Sequence, residues 1–316
     1  MIVLITGGAG FIGSNLTESL LKDDRVTGVR VLDNLSTGSL DNIKDFRTNP
    51  KFQFIEGDIR NYNTCLEASR GVHLISHQAA LGSVPRSIAD PVTTNDVNIG
   101  GTVNVFTAAK ECGIKRLVYA ASSSTYGDHQ GLPKVEDKTG NPLSPYAVTK
   151  LVNELYAQVY ARLFDMEFIG LRYFNVFGPK QNPNGPYAAV IPLFIQGLLS
   201  NTAPVINGDG SHSRDFTYVD NAVLANTLAL FTDRPSAINQ VYNVACGDQT
   251  TLTELFYALR MEAGSRLEPD FGPERTGDIK HSLADISKAM SLLGYEVKVP
   301  VLTGLRQTWK WYMDRG

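Results

Sequence analysis

The chain has 316 residues, with 29 Lys and Arg against 32 Asp and Glu, for a net charge of −3. Its 43% hydrophobic and 19% charged content excludes a disordered chain, and the lack of a basic cluster argues against a nucleic-acid binder. The length fits about two domains of roughly 100–200 residues each, and no run approaches the roughly 18–20 apolar residues of a membrane span.

Short β-branched runs at 2–6, 28–33, 52–57, 72–77, 117–122 and 167–173 read as strands. Helical patterns lie between them, at 10–21, 61–68, 99–112 and 145–164. Most of the strand runs are apolar without alternation, as expected when helices cover both faces of a parallel sheet. Such strand–helix alternation predicts an α/β fold, a doubly wound parallel sheet of the Rossmann type with right-handed crossovers. After Tyr173 the texture changes, with Gly178-Pro179, 183–186 and 208–210 rich in Gly and Pro. One further strand is read at 241–245, and a final helical region ends in Trp309 and Trp311. Residues 1–174, with a returning segment at about 215–245, are expected to form a dinucleotide-binding domain. Residues 175–214 and 246–316 are expected to form a smaller, mixed substrate domain. The N-terminus begins directly in a strand and phosphate loop rather than a signal peptide, so a cytoplasmic location is the expectation.

Gly7, Gly10 and Gly13 follow the first strand and open the first helix, in the spacing GxxGxxG. Missing side chains allow a tight turn and a close approach of backbone to a pyrophosphate, and the helix N-terminus offers free N–H groups. Asp33 ends the second strand twenty residues past Gly13, where a carboxylate can bond the adenosine ribose hydroxyls and disfavour a 2′-phosphate. NAD is therefore the expected cofactor. Asp58, closing the third strand, is a candidate for the adenine amino group. Phe11, Ile12, Asn34, Ile59 and Ala79 flank these positions and complete the candidate set with Tyr146 and Lys150.

Tyr146 and Lys150 are four apart behind Ser144, which can cap the helix, and Pro145, which suits its first turn. Both then share one helix face, with the ammonium beside the phenol. Lys150 and a bound, positively charged nicotinamide would lower the phenol's pKa from about 10 and make it a general base. The run Ser122-Ser123-Ser124-Thr125-Tyr126-Gly127 ends the preceding strand, where open α/β sheets bind ligands. One hydroxyl there can share the reacting oxygen's proton; Ser122 is the first candidate and Ser123 the close competitor. Cys65, Cys112 and Cys246 are odd in number and widely spaced, and the five histidines are scattered apart from His73 and His77, so no disulfide framework and no metal are expected.

The glycine triplet, the SSSTYG strand end and YxxxK together resemble the extended short-chain dehydrogenase/reductase family. More closely, HQAALGSVPRS (77–87), SPYAVTK (144–150), LRYFNVFG (171–178), NPNGPYAAVIP (182–192), INGDGSHSRDF (206–216) and GDIKHSLADISKA (277–289) resemble bacterial UDP-N-acetylglucosamine 4-epimerases. That resemblance implies interconversion of UDP-GlcNAc and UDP-GalNAc, with UDP-Glc and UDP-Gal as a second pair. Tyr146 takes the 4-hydroxyl proton as carbon 4 is oxidised by tightly held NAD, and the transient 4-keto sugar turns before it is reduced on the other face. It implies that Arg214 and Arg275 meet the diphosphate, Asn175 the pyrophosphate, Asp278 the uridine ribose, and Val190, Val205 and Asn207 the uracil. Gly82, Ser83, Ser123, Ser124, Ala189 and Ser282 would line the sugar pocket with small groups suited to an N-acetyl substituent. A sugar 4,6-dehydratase commonly carries an Asp-Glu pair after the strand-end hydroxyl, and a UDP-glucuronate decarboxylase a Glu; Ser123-Ser124-Thr125 stands there instead. A non-catalytic dinucleotide-binding regulator is the reading from another class. The catalytic helix is apolar around more than one stripe, from Val148 through Leu155 and Val159 to Leu163, and the helix after Asn95, with Val97, Ile99, Val103, Val105 and Phe106, could join it. A two-fold homodimer is expected.

Overall fold

The computed structural model describes residues 1–183, 188–274 and 280–315. In the first half the strands are β1 (Ile2–Thr6), β2 (Gly28–Asp33), β3 (Phe52–Glu56), β4 (Leu74–His77), β5 (Arg116–Ser122) and β6 (Glu167–Tyr173). Interleaved are α1 (Phe11–Leu21), α2 (Tyr62–Ser69), α3 (Val84–Ala89), α4 (Pro91–Asn95), α5 (Thr102–Glu111) and α6 (Pro145–Phe164). The second half adds the short strands β7 (Val176–Phe177), β8 (Val205–Asn207), β9 (Ser213–Arg214) and β10 (Thr217–Tyr218), then β11 (Gln240–Val244), β12 (Thr250–Thr251) and β13 (Asp270–Gly272). Its helices are α7 (Val190–Leu199), α8 (Val219–Phe231), α9 (Leu252–Glu262) and α10 (Val301–Met313).

Seven strands form one parallel sheet in the order β11-β6-β5-β4-β1-β2-β3. Strand residues alternate between two cores because successive side chains point to opposite faces. Val3, Ile5, Val29 and Val31 pack with Leu16 and Leu20 of α1 and Ala222 and Ala229 of α8. Leu4, Leu32, Ile75 and Leu117 pack with Cys65 of α2 and Phe106 of α5. Both faces being covered explains the unbroken apolar runs. Phe106 is fully buried against Phe168 at 4.7 Å between ring centroids, and its truncation to Ala should cost about 3–5 kcal/mol.

The order of strand addition reverses at β1, since β2 and β3 lie to one side and β4 to β6 to the other. This switch point, outside the carboxyl ends of the strands, is where an open α/β sheet leaves a crevice. The helix expected at 99–112 begins with a π-helical turn, Asp96–Gly101, before α5. A Cβ on Gly101 would fall 2.5 Å from Ile59 Cδ1, so the turn and the strand-3 loop pack closely. In the second half, α8 and β11 complete the sheet and one of its faces. The pairs β8–β13, β9–β12 and β7–β10, with α7, α9 and α10, form the remainder. No described helix is long and apolar enough to cross a membrane.

Candidate active site

A cleft of about 480 Å³ opens at the switch point, lined by the first glycine turn, the ends of β2, β4, β5 and β6, and the start of α6. The glycine turn leaves no room for side chains. Gly7 sits at φ +71°, and a Cβ on Gly13 would lie 2.2 Å from the Gly7 carbonyl oxygen. Gly10 caps α1 without a side-chain acceptor, so the N–H groups of Phe11, Ile12 and Gly13 are left for a ligand at the cleft wall. A cradle built this way fits a dinucleotide pyrophosphate.

At the end of β2 the buried Asp33 accepts from the Ala9 amide at 2.9 Å and the Leu35 amide at 2.8 Å. Burial raises its pKa against those hydrogen bonds. Asn34, Asp58 and Ile59 line the same end of the cleft. Asn34 Nδ2 donates to Asp58 at 2.8 Å, and the Arg60 guanidinium holds the Asp58 carboxyl down at about 2. Asp58 therefore stays ionised as an acceptor throughout the physiological range. Ser36, Thr37 and Ala79 complete this part of the wall. His77 is no metal ligand here: its ring bonds Thr6 Oγ1 at 2.6 Å and Thr102 Oγ1 at 2.9 Å, and burial pushes its pKa down to about 3. His73 Nδ1 accepts the Ile2 amide.

The other end of the cleft holds Ser122, Ser123, Tyr146 and Lys150. Ser144 Oγ accepts from the Ala147 amide at 3.1 Å, with Pro145 in the first turn, so α6 starts where its sequence directs. Burial raises the pKa of the Tyr146 phenol, and the neighbouring Ser122 works against it. Ser124 Oγ donates to Ser122 Oγ at 2.9 Å from outside the cleft lining. Lys150 Nζ lies 5.9 Å from the centre of the Tyr146 ring and donates to the Ala120 carbonyl at 2.8 Å. The expected depression of the phenol by its lysine is thus not carried by a direct bond between them. Burial lowers the Lys150 pKa to about 8, with the Glu154 carboxylate one turn on working against it.

Sequence reading missed the floor of this cleft. Tyr173, at the end of β6, donates to Gln78 Oε1 at 3.1 Å and accepts from Asn226 Nδ2 at 2.7 Å. Gln78 Nε2 in turn donates to Asn226 Oδ1 at 3.0 Å. For Tyr173 and Gln78 the position at a strand's carboxyl end was the available signal; Asn226, inside α8, offered none.

Asn175 lines this cleft and also a second cavity of about 600 Å³, so one residue bridges the two. The second cavity is walled by Val190, Val205, Asn207 and Arg214, together with Leu193, Phe194, Phe216 and Leu252, which the sequence did not single out. Asn175 adopts a left-handed φ of 37° and donates from Nδ2 to the Asp215 carbonyl at 3.0 Å. Arg214 Nη1 donates to the Ser213 and Lys280 carbonyls. Four expectations shift, that for Ser124 among them. Ser83 is the cap of α3, accepting the Arg86 amide, and only its neighbour Gly82 lines the cleft. Ala189 is the residue before α7, and Ser282 donates its amide to the Ser213 carbonyl at 3.1 Å; neither lines either cavity. Arg275 and Asp278 lie outside the described residues. Among the described residues no group of three or more His, Cys, Asp or Glu is placed to hold a metal ion.

Comparison with known proteins accords with this geometry. The model of the NAD dependent epimerase/dehydratase family matches residues 3–245. A UDP-glucose 4-epimerase of Mycolicibacterium smegmatis is 37% identical over 317 residues, covering 100% of this chain and 99% of that protein. The solved UDP-N-acetylglucosamine 4-epimerase of Methanobrevibacter ruminantium M1, in complex with UDP-N-acetylmuramic acid, superposes with a TM-score of 0.93 at 37% identity, covering 99% of this chain and 98% of that one. The Thermus thermophilus UDP-glucose 4-epimerase, solved with NAD, gives 0.90 at 34% identity and covers 100% of both chains. A glycine turn with no space for a Cβ at Gly7 or Gly13, an acidic strand end and a Ser–Tyr–Lys cluster meet at the switch point, and the chain belongs to the NAD dependent epimerase/dehydratase family, with NAD as its cofactor.

Proposed function

We propose that this protein is a UDP-sugar 4-epimerase, and within that class one that interconverts UDP-GlcNAc and UDP-GalNAc, with UDP-Glc and UDP-Gal as its second pair. The observation that carries the reading is the meeting of Ser122, Tyr146 and Lys150 in the same cleft as the glycine cradle, joined through Asn175 to a second cavity. When bound, NAD supplies the reversible oxidation of the sugar's carbon 4. The chain's residues do the rest. Tyr146 takes the 4-hydroxyl proton, Ser122 shares the hydrogen bond to that oxygen, and the Lys150 charge near the phenol ring favours the phenolate. The first turn of α1 and Asp33 hold the dinucleotide, while Asn175 and Arg214 face the nucleotide sugar's diphosphate, with Val190, Val205 and Asn207 around its base.

One observation favours the acetylated pair, since the equal 37% identity to the UDP-N-acetylglucosamine 4-epimerase and to the M. smegmatis UDP-glucose 4-epimerase favours neither. A Cβ placed on Gly82 would meet nothing within 4 Å, so the cleft has room at that wall. Pocket size discriminates by only about 1–3 kcal/mol per methylene-sized change, which keeps the plain pair as a substrate. A 4,6-dehydratase is the second reading within the family. It needs a further acid and base, and Ser123, Ser124 and Thr125 offer no carboxylate after Ser122.

The test is incubation of purified protein with UDP-GlcNAc and no added NAD, followed by proton NMR. Appearance of UDP-GalNAc is the expected outcome. A 4-keto-6-deoxy product would replace this reading with the dehydratase, and no turnover would remove both. We further read the enzyme as a cytoplasmic homodimer formed through α6. Val148, Leu155, Val159, Leu163 and Phe164 of α6 are exposed, and Ile88 and Val92 of the adjoining α3 and α4 continue the apolar face. Val105 and Phe106, expected from sequence to join that face, are buried in the core instead.

A further inference from the structure

Asp215 follows Arg214 directly and is wholly buried. A carboxylate removed from water costs several kcal/mol unless hydrogen bonds replace the lost hydration. Here three backbone amides do so. The Cys246 amide donates to Oδ1 at 2.9 Å, and the Gly247 and Ala284 amides donate to Oδ2 at 3.0 and 3.2 Å. Cys246 and Gly247 follow β11, whereas Ala284 belongs to a segment that runs beside β9. The main chain of Asp215 is used as well, since its carbonyl accepts from Asn175 Nδ2 at 3.0 Å. One residue therefore joins three stretches of chain that are far apart in sequence, and two of its immediate partners by bond or by sequence, Asn175 and Arg214, line the second cavity.

From this arrangement we propose that Asp215 is a positioning residue for substrate. Its carboxylate fastens the strand that carries Arg214 to the end of the central sheet and to the 280–285 segment, and so fixes Arg214 and Asn175 in the wall of the nucleotide-sugar cavity. The proposal rests on the reading of that cavity given above. The chemistry makes such a clamp useful. A 4-epimerase must present both faces of the sugar ring to one fixed cofactor, so the grip on the substrate has to sit at its nucleotide end and has to be rigid. The amide of an asparagine cannot replace the carboxylate. Either orientation of that amide would set an NH2 group against one or two N–H donors, where both oxygens now accept.

The test compares wild-type holoenzyme with Asp215→Asn. Bound NAD is measured by absorbance after denaturation, UDP binding by calorimetry, and turnover over a range of UDP-GlcNAc. The variant is expected to keep its NAD, to bind UDP about tenfold more weakly, and to show a KM raised by a similar factor with kcat within about threefold of wild type. A variant that binds UDP as wild type does, or that loses NAD in parallel, overturns the assignment. Hydrogen exchange on the wild-type holoenzyme supplies a second arm that needs no variant to fold. The amides of Cys246, Gly247 and Ala284 are expected to exchange more slowly when UDP is bound, and unchanged exchange also overturns it. Wild-type protein that binds no UDP would sink the cavity reading and the clamp together, whereas wild type that binds UDP beside an insensitive variant sinks the clamp alone.

Discussion

Lys150 Nζ donates to the backbone carbonyl of Ala120 at 2.8 Å, tying the middle of α6 to the strand that ends two residues later in Ser122. Tyr146 lies one turn before Lys150 on the same helix and lines the same cleft as that serine. Strand and helix are thus tied together by Lys150, one of the residues proposed for the chemistry.

Removing the phenolic oxygen should test the base without disturbing the cradle. Tyr146→Phe is expected to lower turnover by about 10²–10⁴-fold while bound NAD stays stoichiometric. Ser122→Ala should lower it less, since the serine shares a proton rather than taking it. Initial rates by coupled assay, with NAD content measured on the same sample, check both. A Tyr146→Phe enzyme of near-normal rate would remove the phenol from the base role.

Lys150 gives a pH dependence whose sign can be worked out. Its pKa falls from 10.5 to about 8 on burial. Between those values the unfolded chain binds more protons than the folded one, so stability rises with pH across this window. Below about pH 8 the folded protein carries the full penalty of a buried ammonium. That penalty is about 3 kcal/mol from the shift, and removing the side chain would orphan the Ala120 carbonyl at about 1 kcal/mol. Lys150→Met should therefore be more stable by about 2 kcal/mol at pH 7, with the difference shrinking towards pH 10.5. It should also be nearly inactive. Urea unfolding at pH 7 and pH 10 reads the first effect; a variant less stable at pH 7 contradicts it. In the wild type, loss of the Lys150 charge should give turnover an alkaline limb near pH 8.

Strands were legible in the sequence because each is a short apolar run cut off by Gly, Asp or Asn, and those runs recur between helices of amphipathic period. The cradle and the catalytic triplet were legible for the same reason, since both are local patterns at strand ends. The second half resisted. Val219–Phe231 forms α8, but it is buried on nearly every side and so has no polar face to reveal its period. Asp215, Tyr173 and Asn226 matter through bonds to residues 31 to 148 positions away, which no local spacing encodes. The apolar surplus of α6 was visible; of the five residues read after Asn95, Val105 and Phe106 are buried while Val97, Ile99 and Val103 are half-buried. Val105 and Phe106 follow a π-helical turn that rotates them into the core, leaving Ile88 and Val92 outside.

Two glycines in the same cleft should behave in opposite ways. A Cβ at Gly13 would lie 2.2 Å from the Gly7 carbonyl oxygen and 2.8 Å from Gly8 Cα, both backbone atoms of the phosphate turn. Gly13→Ala must open that turn, and the purified variant is expected to carry no NAD and to melt at lower temperature. Gly82→Ala meets no atom within 4 Å and should keep both NAD and fold, with any loss confined to the sugar. Absorbance of released dinucleotide and thermal melts distinguish the two; NAD retained in Gly13→Ala would show that the turn can rearrange.

The exposed face of α6 carries the last prediction. Leu155 is 51% and Leu163 69% exposed, on a helix whose opposite face already packs on the sheet, and Ile88 and Val92 beside it are 63% and 69% exposed. A stripe this wide exceeds the roughly 100° that one buried contact needs. If two copies meet here about a two-fold axis, each residue faces its own kind or a near neighbour, and one added charge appears twice in the interface. Leu155→Glu combined with Ile88→Glu should therefore convert a dimer into a monomer in sedimentation at micromolar concentration. The active-site cleft opens from the other side of α6, at Tyr146 and Lys150, so the monomer should retain its NAD. Wild type that sediments as a monomer would refute the dimer, and a double variant that stays dimeric would place the interface elsewhere.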